Sequence, residues 1–146
     1  MDIKSRNREY KEYVLEKIGS NHFSKHIDFT ITEIKEGSIV AETCFETYMQ
    51  QQDGFVHGGI SSAFADMACG FAAYSLVEKG QRVMTVEMKI SYFSRGMGDR
   101  IIARGKVVKP GKRFHFCEAE IFTVKEGKET LIAKASSTMA VIDLKE

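Results

Sequence analysis

The longest apolar stretch of the chain runs from Gly58 to Val77 and contains one charged residue, Asp66. Its large side chains recur at helical spacing on one face, at Ile60, Phe64, Met67, Phe71 and Tyr74. Alanine, glycine, serine and cysteine fill most of the other positions, so the pattern predicts a helix over about residues 58–78. A helix that is apolar nearly all round is expected to be buried, with the rest of the domain built around it.

The other segments predict a short first helix and six strands. Tyr10, Val14 and Ile18 repeat every four residues and predict an amphipathic helix over about 5–18. Alternating or apolar runs separated by glycine-containing turns predict strands. These lie over 29–35, 38–45, 83–93, 100–108, 114–124 and 130–142.

This order of elements predicts one α+β domain over residues 1–146, in which a mainly antiparallel sheet is wrapped around the long central helix. The edges and exposed faces of such a sheet favour self-association of the chain.

Composition excludes several classes of protein. Twenty-one Lys and Arg balance 20 Asp and Glu, and no basic run is present, which argues against a nucleic-acid partner. The chain has no apolar segment long enough to span a bilayer and its charged N-terminus is unlike a signal peptide. Three widely separated cysteines, Cys44, Cys69 and Cys117, argue against a disulfide framework and a metal site. We therefore expect a cytoplasmic protein with neither a membrane partner nor a metal.

Asp66 is the strongest candidate for chemistry, because a carboxylate on a buried helix must be paired, neutralised or exposed to a cleft. Gly58 and Gly59 place unencumbered backbone N–H groups at the N-terminus of the same helix, where the helix dipole favours negative charge. Such amides can hold the oxygen of a carbonyl that becomes anionic during acyl transfer. With His57 beside them, these groups indicate attack on an acyl group.

The segment Gly54-Phe55-Val56-His57-Gly58-Gly59, with Asp66 in the helix behind it, resembles the hotdog-fold acyl-CoA thioesterases of the phenylacetate-pathway (PaaI-like) type. The resemblance covers roughly residues 31–141, including the predicted strand order. It implies the hotdog fold and hydrolysis of an acyl-CoA thioester to the free acid and CoA, without a further cofactor. It also implies self-association as a dimer, and leaves open whether two dimers pair again into a tetramer.

The resemblance further implies roles for individual residues. Asp66 is the base or nucleophile, and Gly58 donates its N–H to the thioester oxygen. His57 orients substrate or water, and Gly59 belongs to the substrate-binding end of the helix. Each site combines the acid of one chain with the glycines of its partner.

Two further positions match the family with differences. Gln51 stands where the family usually has asparagine and is longer by a methylene. Thr85 occupies a position where relatives carry a serine that helps to hold water, but strict strand alternation places it on the polar face.

Because CoA carries phosphates, basic residues are expected at the rim of the site. Arg95, Lys109, Lys112 and Arg113 lie in predicted loops that the fold could bring to one end. Phe64, Phe71 and Tyr74 either line an acyl pocket or belong to the core.

Two alternatives remain open at this point. A hotdog domain that binds or senses acyl-CoA without turnover is compatible with glutamine at position 51. A hydroxyacyl thioester dehydratase would also pair a histidine with a helix acid, but its loop is typically rich in proline. The single proline of this chain, Pro110, lies elsewhere.

Overall fold

The computed structural model describes residues 2–144. Its helices are Tyr10–Gly19 (α1), His22–His26 (α2) and Gly58–Tyr74 (α3), with a 3₁₀ turn at Thr47–Met49. Its strands are Thr30–Lys35 (β1), Ser38–Cys44 (β2), Gln81–Tyr92 (β3), Arg100–Lys109 (β4), Phe114–Lys125 (β5) and Lys128–Asp143 (β6). The predicted order of elements is confirmed, and α2 is an additional short helix.

The six strands form one sheet in the order β1-β2-β4-β5-β6-β3, and neighbouring strands pair antiparallel. Helix α3 packs across β2, β4, β5, β6 and β3, which together curve around it. The expected α+β architecture is therefore confirmed. The order leaves β1 and β3 as the two edge strands, and β3 is the longer of them.

The contact between α3 and β4 is close because both elements carry small residues where they meet. Gly105 of β4 lies against the backbone of Ala68, and a Cβ at Gly105 would stand 2.2 Å from the Ala68 carbonyl oxygen. No side chain fits at that distance, so glycine is required there by the close approach of two backbones. Phe64 fills the core beside this contact and packs edge-on against Phe29 at 5.1 Å between ring centroids.

Helix α1 begins at Tyr10, five residues later than predicted, because polar groups hold the preceding segment in other contacts. The Asn7 side chain accepts a hydrogen bond from Glu9 N (2.9 Å). The Arg6 N–H donates to the carbonyl oxygen of Leu76 (3.3 Å), which ties the segment to the chain after α3.

Helix α3 ends at Tyr74, before the predicted end at about residue 78. The buried Ser75 hydroxyl donates to Ala72 O (2.7 Å) and accepts from Gly37 N (2.7 Å). A local side-chain hydrogen bond of this kind competes with continuation of the helix. Ser75 thereby joins the end of α3 to the turn between β1 and β2.

Within residues 2–144, no helix is long and apolar enough to cross a membrane.

His115 points inward from β5 and is buried, with 1% of its surface exposed. Its Nδ1 accepts a hydrogen bond from Gly111 N (3.2 Å) in the turn between β4 and β5. Burial, with a smaller contribution from the charge of Arg6, lowers the pKa of His115 from 6.5 to about 4. The imidazole is therefore neutral in the folded protein at neutral pH.

This burial predicts loss of stability in weak acid. The unfolded chain protonates His115 below about pH 6.5, whereas the folded chain holds it neutral to about pH 4. Between these two pH values the unfolded state binds more protons than the folded state. The contribution of His115 to the free energy of unfolding is therefore full above about pH 6.5 and falls as the pH drops towards 4. His115 should account for roughly 2 kcal/mol of loss between pH 7 and 5. Urea denaturation of wild type and His115→Gln at both pH values measures it, and equal losses in the two proteins would contradict the prediction.

Candidate active site

Asp66 lies on the side of α3 that faces β3, and its side chain is partly exposed. The Thr85 hydroxyl donates a hydrogen bond to Asp66 Oδ1 (2.7 Å). The second carboxylate oxygen has no hydrogen-bond partner in the described part of the chain. Asp66 also lines a cavity of about 140 Å³ together with Phe71 and Tyr74, whereas Phe64 is sealed in the core. The carboxylate is therefore held by one hydroxyl and open to a small cavity.

Thr85 reaches Asp66 because of a β-bulge in β3. Thr85 pairs with Met139 and Glu87 pairs with Thr138, which leaves Val86 without a partner on β6. An extra residue in one strand reverses the alternation of side chains on either side of it. Met88 beyond the bulge therefore packs on the core, as Thr85 before it faces α3. The placement of Thr85 on the polar face by strict alternation is corrected by this bulge.

The N-terminus of α3 is capped by His57, whose Nδ1 accepts a hydrogen bond from Gly59 N (2.8 Å). The Gly59 N–H is therefore already hydrogen-bonded within the chain and is not free to bind a substrate. The neighbouring Gly58 N–H has no hydrogen-bond acceptor among residues 2–144. Of the two glycine amides predicted to bind an oxyanion, the structure leaves that of Gly58 available.

Gln51 and Gly58 line a second cavity, of about 400 Å³, which Arg95 also borders. The Gln51 side-chain oxygen accepts hydrogen bonds from the backbone N–H groups of Asp53 and Phe55. The glutamine thus braces its own loop at the edge of this cavity. Tyr92, which the sequence did not single out, donates its hydroxyl to the Gly58 carbonyl oxygen (3.0 Å) and fixes the helix N-terminus to the end of β3.

The carboxylate and the free amide lie apart within one chain. Asp66 follows Gly58 by more than two helical turns, so about 12 Å of helix rise separates them. Thr85 marks the acid end near the start of β3, and Tyr92 marks the glycine end where β3 finishes. The chain therefore carries two candidate half-sites at opposite ends of one edge strand.

The predicted basic residues do not lie at one end of the chain. Lys109 is the last residue of β4, and Lys112 and Arg113 lie in the β4–β5 turn that follows it. In this turn Arg113 O accepts a hydrogen bond from Val141 N near the end of β6. That end of β6 pairs with the start of β3, whereas Arg95 follows the end of β3. The expectation that all four meet at one end is therefore wrong for a single chain, because antiparallel pairing sends the two loops in opposite directions.

Arg95 instead lies near Lys125 and Lys128, the last residue of β5 and the first residue of β6. All three side chains line a groove next to the Gly58 cavity. In the sequence these lysines are recognisable only as the residues on either side of a Glu-Gly turn. The pairing of strands is needed to show which loops they lie near.

Over residues 2–144, no group of three or more His, Cys, Asp or Glu side chains is arranged to hold a metal ion.

Comparison with known families decides the wider assignment. The model of the thioesterase superfamily matches residues 53–130, more than half of the chain, from the loop before α3 to the first residues of β6. The chain belongs to the thioesterase superfamily. Thioester hydrolysis is therefore the reaction class of this thioesterase. Human acyl-coenzyme A thioesterase 13 is 27% identical to it, over 75% of this chain and 76% of that protein.

Solved structures agree with this family. A thioesterase family protein from Silicibacter pomeroyi is 30% identical to this thioesterase with a TM-score of 0.90, covering 92% of this chain and 98% of that one. The PaaI protein of Escherichia coli is 21% identical with a TM-score of 0.81, covering 92% and 94% of the two chains, and shares the fold. The resemblance noted in the sequence is confirmed.

The capping bond predicts how His57 contributes to stability. Replacement of His57 by Ala removes the acceptor for Gly59 N and should cost about 1 kcal/mol of unfolding free energy. Replacement by Asn keeps a side-chain oxygen that can accept the same bond, so His57→Asn should stay close to wild type. Urea denaturation of the three proteins measures the difference, and equal destabilisation by both substitutions would refute the capping role.

Proposed function

We propose that this thioesterase hydrolyses acyl-CoA thioesters at sites shared between two copies of the chain. The observation that carries the proposal is the Asp66 carboxylate, which is held by Thr85 at 2.7 Å and opens to a cavity on an otherwise apolar helix. An apolar residue at this position would cost the fold less than a carboxylate does. A polar group that converges on a cavity with otherwise apolar walls is a candidate for function.

The pairing of two chains is supported by the free edge of β3. Met84 and Val86 on this strand are 60% and 58% exposed, although both are apolar. An unpaired edge strand offers its N–H and C=O groups to another strand. Antiparallel pairing of two β3 strands would set the Thr85 end of one beside the Tyr92 end of the other. It would thereby bring Asp66 of one copy towards Gly58 of the second copy.

The proposed reaction uses the groups that this arrangement assembles. Asp66 accepts a proton from water as the hydroxide attacks the thioester carbonyl carbon, or the carboxylate itself attacks that carbon. The carbonyl oxygen becomes anionic and takes the Gly58 N–H as a hydrogen-bond donor. The carbon–sulfur bond then breaks and CoA leaves as the thiolate, which gains a proton from solvent. Where the carboxylate itself attacked, water then hydrolyses the anhydride between Asp66 and the acyl group, which releases the free acid and restores the carboxylate. Thr85 orients the carboxylate, and His57 and Gln51 hold the helix N-terminus and its loop in place.

CoA as the carrier is supported by the human relative named an acyl-coenzyme A thioesterase. Further support comes from the cationic residues beside the Gly58 cavity, which suit a phosphorylated carrier. The reaction requires no cofactor besides the CoA of the substrate.

The role of Asp66 predicts that Asp66→Asn lowers the rate of thiol release from acyl-CoA by about 10²–10⁴-fold, because the base or nucleophile of the transition state is lost. The test is thiol release from a panel of acyl-CoAs, with circular dichroism to show an unchanged fold. Equal rates for wild type and variant would contradict the role. Tight acyl-CoA binding by wild type without turnover would instead select the non-catalytic binding function.

The oxyanion role predicts different effects of two substitutions at Gly58. Proline suits the first position of a helix and replaces the N–H with a ring carbon, whereas alanine keeps the N–H. The added Cβ meets nothing closer than the Tyr92 ring at 3.4 Å. Gly58→Pro should lower kcat about 10²–10³-fold, and Gly58→Ala should stay near wild type. Equal kcat values for the two variants would remove Gly58 from the mechanism.

Asp66→Asn and Gly58→Pro together test whether each site is shared between two chains. Co-expressed Asp66→Asn and Gly58→Pro chains form mixed dimers in which one site has both groups intact. Activity should return to about a quarter of wild type if chains assort at random. Sites formed within single chains would give no recovery.

A further inference from the structure

We propose that Lys125, Lys128 and Arg95 form a binding site for the phosphate-bearing nucleotide end of CoA, and that this site selects CoA thioesters over thioesters lacking the nucleotide. The inference rests on the proposed acyl-CoA hydrolysis and names a specificity site that the catalytic half-sites do not include. It starts from a groove of about 790 Å³ between the β5–β6 turn and the loop after β3.

The groove continues directly from the Gly58 cavity. Phe93, Ser94 and Arg95 line both the 400 Å³ cavity that holds Gly58 and the 790 Å³ groove. A substrate whose thioester carbonyl reaches Gly58 can therefore extend its carrier past these residues into the groove. The end of the carrier would lie against Lys125 and Lys128.

The charges of the groove favour an anion. Lys125 and Lys128 are direct cross-strand partners on either side of the Glu126-Gly127 turn. Like charges placed directly opposite each other destabilise a strand pair. Neither lysine, nor Arg95, forms an ion pair with another described residue, and Glu126 is the one carboxylate that lines the groove. A bound phosphate would relieve the repulsion between the two lysines.

Arg95 is held where it can meet a phosphate between the two cavities. Its guanidinium lies over the Phe55 ring, 5.1 Å from the centroid, in a cation–π contact. Phe55 is itself fixed through its backbone N–H, which donates to Gln51 (3.3 Å). An arginine restrained in this way retains its outer N–H donors for bidentate contact with a phosphate.

The walls of the groove suit a nucleotide better than inorganic phosphate alone. Phe93 and Met97 line it and are 55% and 46% exposed. An exposed aromatic ring offers a stacking surface to a base, and Thr130 adds an exposed hydroxyl group. Cations beside exposed apolar side chains fit the 3′-phospho-ADP of CoA, which joins three phosphates to an adenine.

The test compares one acyl group on two carriers, CoA and N-acetylcysteamine, which lacks phosphates. In Lys125→Ala/Lys128→Ala, KM for the acyl-CoA should rise about tenfold with kcat unchanged, and kcat/KM for the N-acetylcysteamine thioester should not change. The matched control, Lys11→Ala/Lys79→Ala, removes two exposed lysines outside the groove and should leave both substrates unaffected.

Calorimetric titration with CoA and with 3′-dephospho-CoA gives a readout that needs no turnover. Wild type should bind CoA more tightly than dephospho-CoA, and the groove variant should lose most of that difference. Unchanged KM and binding in the groove variant, or equal losses with both carriers, would overturn the proposal. If wild type binds CoA in the groove but hydrolyses neither thioester, the proposed function is contradicted and the assignment of the groove as a nucleotide-binding site is retained.

Discussion

The backbone contact between Gly105 and Ala68 sets the position of everything else in this fold. With a β-strand and a helix this close, α3 is fixed in depth and in rotation relative to the sheet. The rotation decides which side of the helix faces β3, and Asp66 lies on that side. A charged group on an apolar helix is tolerable where it finds a partner or an opening to solvent. The structure provides both at this one place.

The same helix also explains why the proposed catalytic groups are separated. Its N-terminus offers the Gly58 amide and its middle offers the Asp66 carboxylate, and a rigid helix cannot bring the two together. The pieces therefore lie on rigid elements, whose geometry is fixed before substrate arrives. In the proposed dimer, the β3 strand of the second copy runs in the opposite direction. It brings Gly58 of that copy near the Asp66 that the helix keeps away from its own Gly58.

Much of the fold follows from patterns visible in the chain. The apolar run of α3 and the alternating strands are strong periodic signals, and so their presence and order were predictable. The exact ends were not, because they depend on individual hydrogen bonds such as those of Ser75 and Asn7. The short helix α2 carries no strong pattern and was missed.

Within the site, Asp66 and Gly58 stood out because a charge in an apolar run and a pair of glycines before a helix are local features. The hydrogen bond from Gly59 N to His57 Nδ1 could not be predicted, since it depends on one side-chain rotamer. The expected cluster of basic residues failed for a different reason. Which loops meet at one end of a sheet depends on strand pairing, and that is a property of the whole fold.

The single unpaired residue in β3, Val86, has a consequence for reading related chains. Thr85 precedes this residue, so its offset from the glycine pair is unaffected, whereas every inward-facing position after Val86 is shifted by one. Two homologues that differ only in having or lacking this insertion would present the same position to the carboxylate and would differ in which positions face inward further along β3. Alignments that spread such a gap into the preceding loop would assign the hydroxyl to the wrong column.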